Sequence, residues 1–438
     1  MSLPDNLVKA RSYLVFILSL TVAFSAVAWI EFRSGWAISP AGATIPASPD
    51  RAKTRTAREL TDRERTWART AWKYFQKNTD PTSGLPGSVE NYPSATMWDV
   101  GSYLLAVLSA RQLDLIDTAE FDQRIGKALT SLGTLPLFDK QLPNKAYNTQ
   151  TLRMTDYANN PTERGVGWSA IDLGRLLVPL NALVWQYPQH TEAARKVIGR
   201  WDTTHLSRNG EMLGARVDKA GKTELVQEGR LGYEQYAAKT FSLMGQDVTT
   251  SYNYARQIAY VDVYGVRVAH DRRIPSVFGA QNFVISEPYV LDGLEFGWDS
   301  ASRELAWRVY SAQQRRHERT GKLTAVTEDH LDQKPYFIYN TVFSDGKTWN
   351  AITESGEDAS AFRSLSVKAA FGWYALFDTP YTRQLIDGVA DLSDPERGWF
   401  AGRYEESGKT NKSVNGNTNA VILESLAFIR KGSFIRYR

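Results

Sequence analysis

The sequence predicts an all-α-dominated chain, an α/α six-hairpin toroid in which a double ring of helices carries small β-hairpin insertions. Three observations lead there. Six apolar runs each open with a cluster of polar and aromatic residues, and because they are apolar nearly all round they read as buried inner helices. More polar, amphipathic stretches at 61–78, 118–132, 191–201 and 300–319 lie between them and suit an outer layer facing water. Extended segments rich in Val, Ile, Tyr and Phe interrupt this rhythm and suit hairpins mounted on one end of the ring. In such an arrangement the inner N-termini line a shared pocket.

In chain order, Lys9 and Arg11 precede an uncharged run over 13–30, about the shortest apolar stretch that spans a bilayer. Residues 1–33 are expected to be an N-terminal signal anchor, with the positive flank kept inside and the rest of the chain exported. The alternative is a signal peptide cleaved at the small-residue pattern Ala26-Val27-Ala28. Residues 34–60 turn to Ala, Pro, Ser, Thr and basic residues and read as a flexible linker. The folded domain is expected over 61–438, opening where Thr61 and Glu64 have capping-box spacing.

The six inner openings are Thr96-Met97-Trp98-Asp99, Gly167-Trp168-Ser169-Ala170-Ile171-Asp172, Gly232-Tyr233-Glu234-Gln235, Ser286-Glu287-Pro288-Tyr289, Arg363-Ser364 leading to Lys368, and Asn417-Thr418-Asn419. Turn signals at Arg208-Asn209-Gly210-Glu211 and Lys219-Ala220-Gly221-Lys222 mark one hairpin region. Segments 260–268, 278–285, 335–343 and 398–405 are the other expected extended pieces. Such insertions would wall the pocket.

Lys and Arg number 52 against 48 Asp and Glu, a balance too even to supply the basic field that nucleic-acid binding needs, so no nucleic acid is expected as partner. The absence of cysteine excludes disulfides, thiolate metal sites and a Cys nucleophile. No G-x-S-x-G elbow, P-loop or H-E-x-x-H occurs, which leaves little for serine hydrolysis, nucleotide use or zinc proteolysis. Glu328-Asp329-His330-Leu331-Asp332 has ligand-type side chains without a metal-site spacing, so neither metal nor other cofactor is expected and His330 is read as a hydrogen-bonding group for substrate.

Aromatic residues beside Asp, Glu or Asn at helix openings point to sugar stacking, and glycosidic cleavage needs one protonated and one ionised carboxyl group. Glu234, between Tyr233 and Tyr236, is the expected acid, since a partly apolar setting raises a carboxyl pKa while the helix dipole opposes it. Glu287, Asp99 or Asp172 would supply the second carboxylate; the alternative for each Asp is simple helix capping. Trp98, Trp168, Tyr233 and Tyr289 are expected to contact sugar rings. Asp292 and Glu295, in the densest acidic stretch, and Lys368, Asn417 and Asn419, at the last two openings, complete the expected substrate-binding set.

Tyr92-Pro93-Ser94-Ala95-Thr96-Met97-Trp98-Asp99-Val100-Gly101-Ser102-Tyr103, Gly167 to Leu177, Ser286 to Glu295 and Lys368-Ala369-Ala370-Phe371-Gly372-Trp373 resemble a bacterial domain-of-unknown-function family, family 3131, described as glucoamylase-like. The resemblance runs from about residue 66 to the C-terminus. More distantly, Thr82-Ser83-Gly84-Leu85 and Tyr233-Glu234 are similar to bacterial β-1,2-glucanases and cyclic-glucan-processing enzymes, which are helical toroids. There a Glu on an inner helix serves as acid, which implies Glu234 here. Together these readings give an expected glycoside hydrolase or transglycosylase acting on a bacterial polysaccharide or oligosaccharide, held at the inner membrane with its main domain in the periplasm. The alternative is a non-catalytic glycan-binding or scaffolding subunit of an envelope polysaccharide export system.

Overall fold

Thr61 and Glu64 form the capping box their spacing predicts: the Thr61 side chain accepts from the Glu64 N–H, and the Thr61 N–H donates to the Glu64 carboxylate at 2.7 Å. This opens α1, Asp62–Asn78. The structure, a computed structural model, describes Thr21, Ser25, residues 45–279 and residues 281–435. The expected anchor over 1–33 and the tether up to residue 44 therefore lie outside the described residues, but for Thr21 and Ser25. Among the described residues no helix is long and apolar enough to cross a membrane.

Fourteen α-helices occur among the described residues. The long ones after α1 are α2 (Met97–Gln112), α3 (Thr118–Thr134), α4 (Ala170–Gln186), α5 (Pro188–Ile198), α6 (Tyr233–Leu243), α7 (Glu287–Phe296), α8 (Ser300–Thr320), α9 (Val367–Leu376), α10 (Pro380–Val389) and α11 (Gly416–Lys431). Six of these touch in cyclic order: α2 packs on α4, α4 on α6, α6 on α7, α7 on α9, α9 on α11, and α11 back on α2. They are the six apolar runs of the sequence, and residues are buried all round them, as in α11 from Gly416 to Ile429. The helices between them bury one stripe, as Phe121, Ile125, Ala128, Leu129 and Leu132 do on α3. Gly174 shows why neighbouring inner helices approach so closely: a Cβ there would lie 2.5 Å from the Ala237 Cβ.

The alternation breaks once. Between α6 and α7 the described residues form no long helix, only three four-residue helices, a short strand and the hairpin Ile258–Val263 with Val266–Asp271, which lies against α8. β-branched and aromatic residues there favour strands over an outer helix. The other insertions are also antiparallel, and several run straight into an inner helix, as Ser94–Thr96 into α2 and Ser364–Ser366 into α9. The turn at Asn209-Gly210 has positive φ at both residues, 54° and 76°, as a tight two-residue hairpin connection requires. Among the described residues of the expected segment 278–285, only Phe283–Val284 is strand; Pro275–Phe278 before it is a short helix.

Residues 45–60, expected to belong to a flexible tether, run against the folded domain. Arg55 N–H donates to Leu376 O at 2.8 Å and Arg58 N–H to Ile429 O at 2.7 Å, so this strap satisfies carbonyls near the C-terminal ends of α9 and α11. Inside the ring, Arg175 of α4 is fully buried; it pairs with Glu295 of α7 and, at 2.7 Å, with Glu424 of α11. Tyr236 of α6 donates to Glu295 at 2.8 Å, which ties four inner helices to one polar node.

Candidate active site

A cavity of about 1110 Å³ opens at the N-terminal end of the inner helices. Trp98 and Asp99 of α2, Asp172 of α4, Tyr233 of α6 and Asn417 of α11 all line it from the first turns of their helices. The two aspartates cap and line at once. Thr96 N–H donates to Asp99 Oδ2 at 2.9 Å, and Ser169 Oγ–H donates to Asp172 Oδ1 at 3.2 Å. Burial pushes the Asp172 carboxyl up to about 7, helped by the neighbouring charges of Glu228 and Asp99. Burial also raises Asp99, against the hydrogen bonds from Thr96.

Insertions complete the walls. Glu228 follows the strand Thr223–Gln227 and accepts the N–H groups of Ala170 and, at 3.3 Å, Ile171, where α4 begins. Burial raises its pKa, while Lys145 and these N–H groups favour the anion. Strand Glu328–His330 brings in the other carboxyl group. Burial and the adjacent Glu287 push Glu328 up to about 8, and Tyr233 Oη–H donates to its Oε2 at 2.5 Å. Strand alternation places His330 on the same lining with Asp329 between them turned away, its Oδ1 accepting from Ser366 at 2.9 Å. Burial and Lys368 lower His330 to about 4, so its ring is neutral at pH 7. Burial raises the Tyr339 hydroxyl, and the negative charges of Glu328, Glu354 and Asp172 add to the shift.

Trp98 stands edge-on to Tyr233 with ring centroids 5.4 Å apart, and the Arg175 guanidinium sits 5.3 Å from its ring centre. The buried ionic node thus supports the aromatic floor of the cavity.

Several expected site residues lie elsewhere. Glu234 is not on the lining: its carboxylate pairs with Arg273 and accepts from Ser251 Oγ at 2.7 Å, because one residue along a helix turns the side chain well away from Tyr233. The structure thus gives Glu234 internal partners instead of a place on the lining, where an acid would meet substrate. Glu287 sits behind the lining, paired with Lys368 and accepting from Asn417 Nδ2 at 2.7 Å, so neither Glu287 nor Lys368 faces the cavity. Trp168 is a core residue, 1% exposed, its Nε1–H donating to Leu213 O at 3.0 Å. Tyr289 is likewise buried off the cavity. Asp292 is held by Lys239 at 2.6 Å, and Glu295 by Arg175 and Tyr236. Asn419 bonds the backbone of Trp399 and Asn415. These groups match internal partners that sequence spacing does not show. Conversely, Glu228, Glu328, Tyr157, Tyr336 and Tyr339 line the cavity and were not expected. Period-two alternation over 328–330 was the available signal for Glu328; Glu228 carried none.

Among solved structures, the chain is similar to an endo-β-1,2-glucanase from Chitinophaga pinensis in complex with sophorotriose and glucose, at 12% identity and a TM-score of 0.61, covering 85% of this chain and 94% of that one. It is similar to a glucoamylase-like protein from Bacteroides fragilis at 14% identity and a TM-score of 0.59, covering 86% and 93%. An endo-β-1,2-glucanase from Talaromyces funiculosus, solved with β-1,2-glucan, matches at 13% identity and a TM-score of 0.54 over 85% and 84%. Comparison with curated proteins finds no sequence match. The family model for proteins of unknown function designated DUF3131 matches residues 66–432, nearly the whole folded part, and the chain belongs to that family.

Proposed function

We propose that this protein is a glycoside hydrolase built on an α/α toroid and acting on a neutral oligosaccharide or polysaccharide. One observation carries the reading: carboxyl groups from separate elements line one aromatic cleft, with Glu328 pushed up to about 8 by burial and Glu228 accepting backbone N–H groups at the N-terminus of α4. Glu328 donates its proton to the departing glycosidic oxygen. Glu228, whose anion is favoured by backbone N–H groups, activates water or attacks the sugar, and Asp172 beside it modulates its charge. Trp98 and Tyr233 offer ring faces and edges to the sugar. The solved endo-β-1,2-glucanases of similar fold make linear β-1,2-glucan the first substrate to assay.

The test is product release from linear β-1,2-, β-1,3- and β-1,4-glucans by the wild type and by Glu328→Gln and Glu228→Gln. Loss of turnover in both variants with retained glycan binding supports the reading. Glycan binding without turnover in the wild type turns it toward the binding subunit. We further propose export, with the basic flank of residues 13–30 retained inside. A reporter fused after Asp50 should then be active outside the cytoplasm, and a cytoplasmic reporter rejects export.

A further inference from the structure

Seven large apolar side chains are exposed among the described residues; two of them line the carboxyl-lined cavity, and three more lie on the segment that leads into Gly279, a lining residue. Tyr157 and Tyr336, 58% and 56% exposed, line it directly. Ile274, Val277 and Phe278 adjoin Gly279, which lines the same mouth, and Arg230 holds that lip by donating to Phe278 O at 3.1 Å. Such concentration of apolar surface marks a place of contact.

Tyr336 also has φ of 69°, a left-handed conformation that a bulky side chain adopts at a cost. Its backbone is fixed on both sides: Leu331 N–H donates to its carbonyl and its own N–H donates to Gln333 O, each at 2.8 Å. The turn therefore presents an exposed ring in a strained backbone. Tyr157 comes from a different insertion, just after strand Met154–Thr155, and its neighbours in charge are Asp172, Glu228 and Glu354. Both rings thus line the cavity that holds the carboxyl groups while staying more than half exposed.

Charge narrows the occupant. Asp99, Asp172, Glu228, Glu328 and Glu354 line the cavity, and Arg230 is the one lysine or arginine among the lining residues. Its guanidinium is already bonded to Gln227 Oε1 at 2.7 Å and to backbone carbonyls. A polyanion would therefore find no unengaged lysine or arginine on this lining to pair with its charges. The volume, about 1110 Å³, exceeds the roughly 300 to 1,000 Å³ of sites for single small molecules.

We propose that Tyr157 and Tyr336 are outer sugar subsites that hold an uncharged polysaccharide strand running beyond the cavity, so that the substrate is a neutral chain of several sugars and not a disaccharide or a uronate polymer. This rests on the glycoside hydrolase reading above.

The experiment uses Tyr157→Ala, Tyr336→Ala and Tyr336→Asn in the full chain. Each is assayed for kcat/KM on a linear neutral glucan and on its trisaccharide, and for binding of both in a Glu328→Gln background. Each Tyr replacement should lower kcat/KM and affinity for the polymer by about fivefold or more, the lower end of what stacking on an aromatic ring contributes, and leave the trisaccharide little changed. Tyr336→Asn should raise Tm, since Asn tolerates the left-handed backbone, while losing polymer affinity like the Ala variant. Polygalacturonate should not compete for binding. Equal losses on polymer and trisaccharide, no loss on either, or effective competition by polygalacturonate overturns the subsites. Failure of the wild type to bind or cleave any neutral glucan overturns the hydrolase reading itself.

Discussion

The hydroxyl of Tyr233 donates a 2.5 Å hydrogen bond to Oε2 of Glu328, joining the first turn of α6 to an insertion strand 95 residues further along the chain. This contact fixes one carboxylate oxygen and leaves the other for a proton. Behind it, Glu287 is paired with Lys368, and its negative charge helps keep Glu328 protonated.

Glu328→Gln should therefore lower turnover by about a hundredfold or more, the lower end of what a positioned general acid contributes. With Glu328 at about 8, wild-type activity should fall as pH rises through that value, where the donor loses its proton. On the acid side activity should fall as Glu228, raised from its ordinary value by burial, takes up a proton. A pH–rate profile of kcat/KM checks both limbs; an undiminished rate at pH 10 assigns the donor to another group.

Asp329 is buried with its Oδ2 unbonded, and burial pushes it up to about 8. Its folded-state pKa is above the unfolded value of about 3.9, so the folded state binds the proton more tightly. That contribution is fully present at low pH and is lost as pH rises toward 8. Asp329→Asn should flatten the dependence of Tm on pH between about 4 and 8 and gain on the wild type at the alkaline end. Thermal melts across that range decide it; parallel curves would mean that Asp329 does not titrate there.

Trp98 and Trp168 should separate. Trp98→Ala should weaken glycan binding by about 1 to 3 kcal/mol, as loss of an aromatic stacking face does. Trp168→Ala should cost about 3 to 5 kcal/mol of stability, because it empties a core site. Calorimetric binding and denaturant unfolding on both variants test this, and the same ranking in both assays would contradict it.

Glu234→Gln should leave turnover within a few-fold of wild type. Its carboxylate shares Arg273 with Asp271, so its removal leaves that guanidinium paired, and the stability loss should stay below the about 3 to 5 kcal/mol of a buried pair broken outright. A hundredfold fall in kcat with unchanged stability would return Glu234 to the chemistry.

Apolar periodicity and capping spacing alone marked the six inner helices, although the fifth begins at Val367, after a strand over Ser364–Ser366 that occupies its expected opening. Apolar residues on every side of a helix can only be buried, and Thr96-x-x-Asp99 or Ser169-x-x-Asp172 can cap and terminate a helix without help from distant residues. Because those caps sit at the inner N-termini, Trp98, Asp99, Asp172, Tyr233 and Asn417 were legible as residues of the cavity lining. Which carboxyl groups meet a cation, by contrast, depends on packing between segments far apart in the chain. Glu234, Asp292 and Glu295 open or occupy inner helices as Asp172 does, yet each meets a cation from another element, Arg273, Lys239 or Arg175. Glu228 and Glu328 reach the cavity from insertions whose placement depends on packing against helices far away in sequence. An ion pair or a raised pKa is a property of two groups and their burial, and a linear chain specifies the groups without specifying which of them meet.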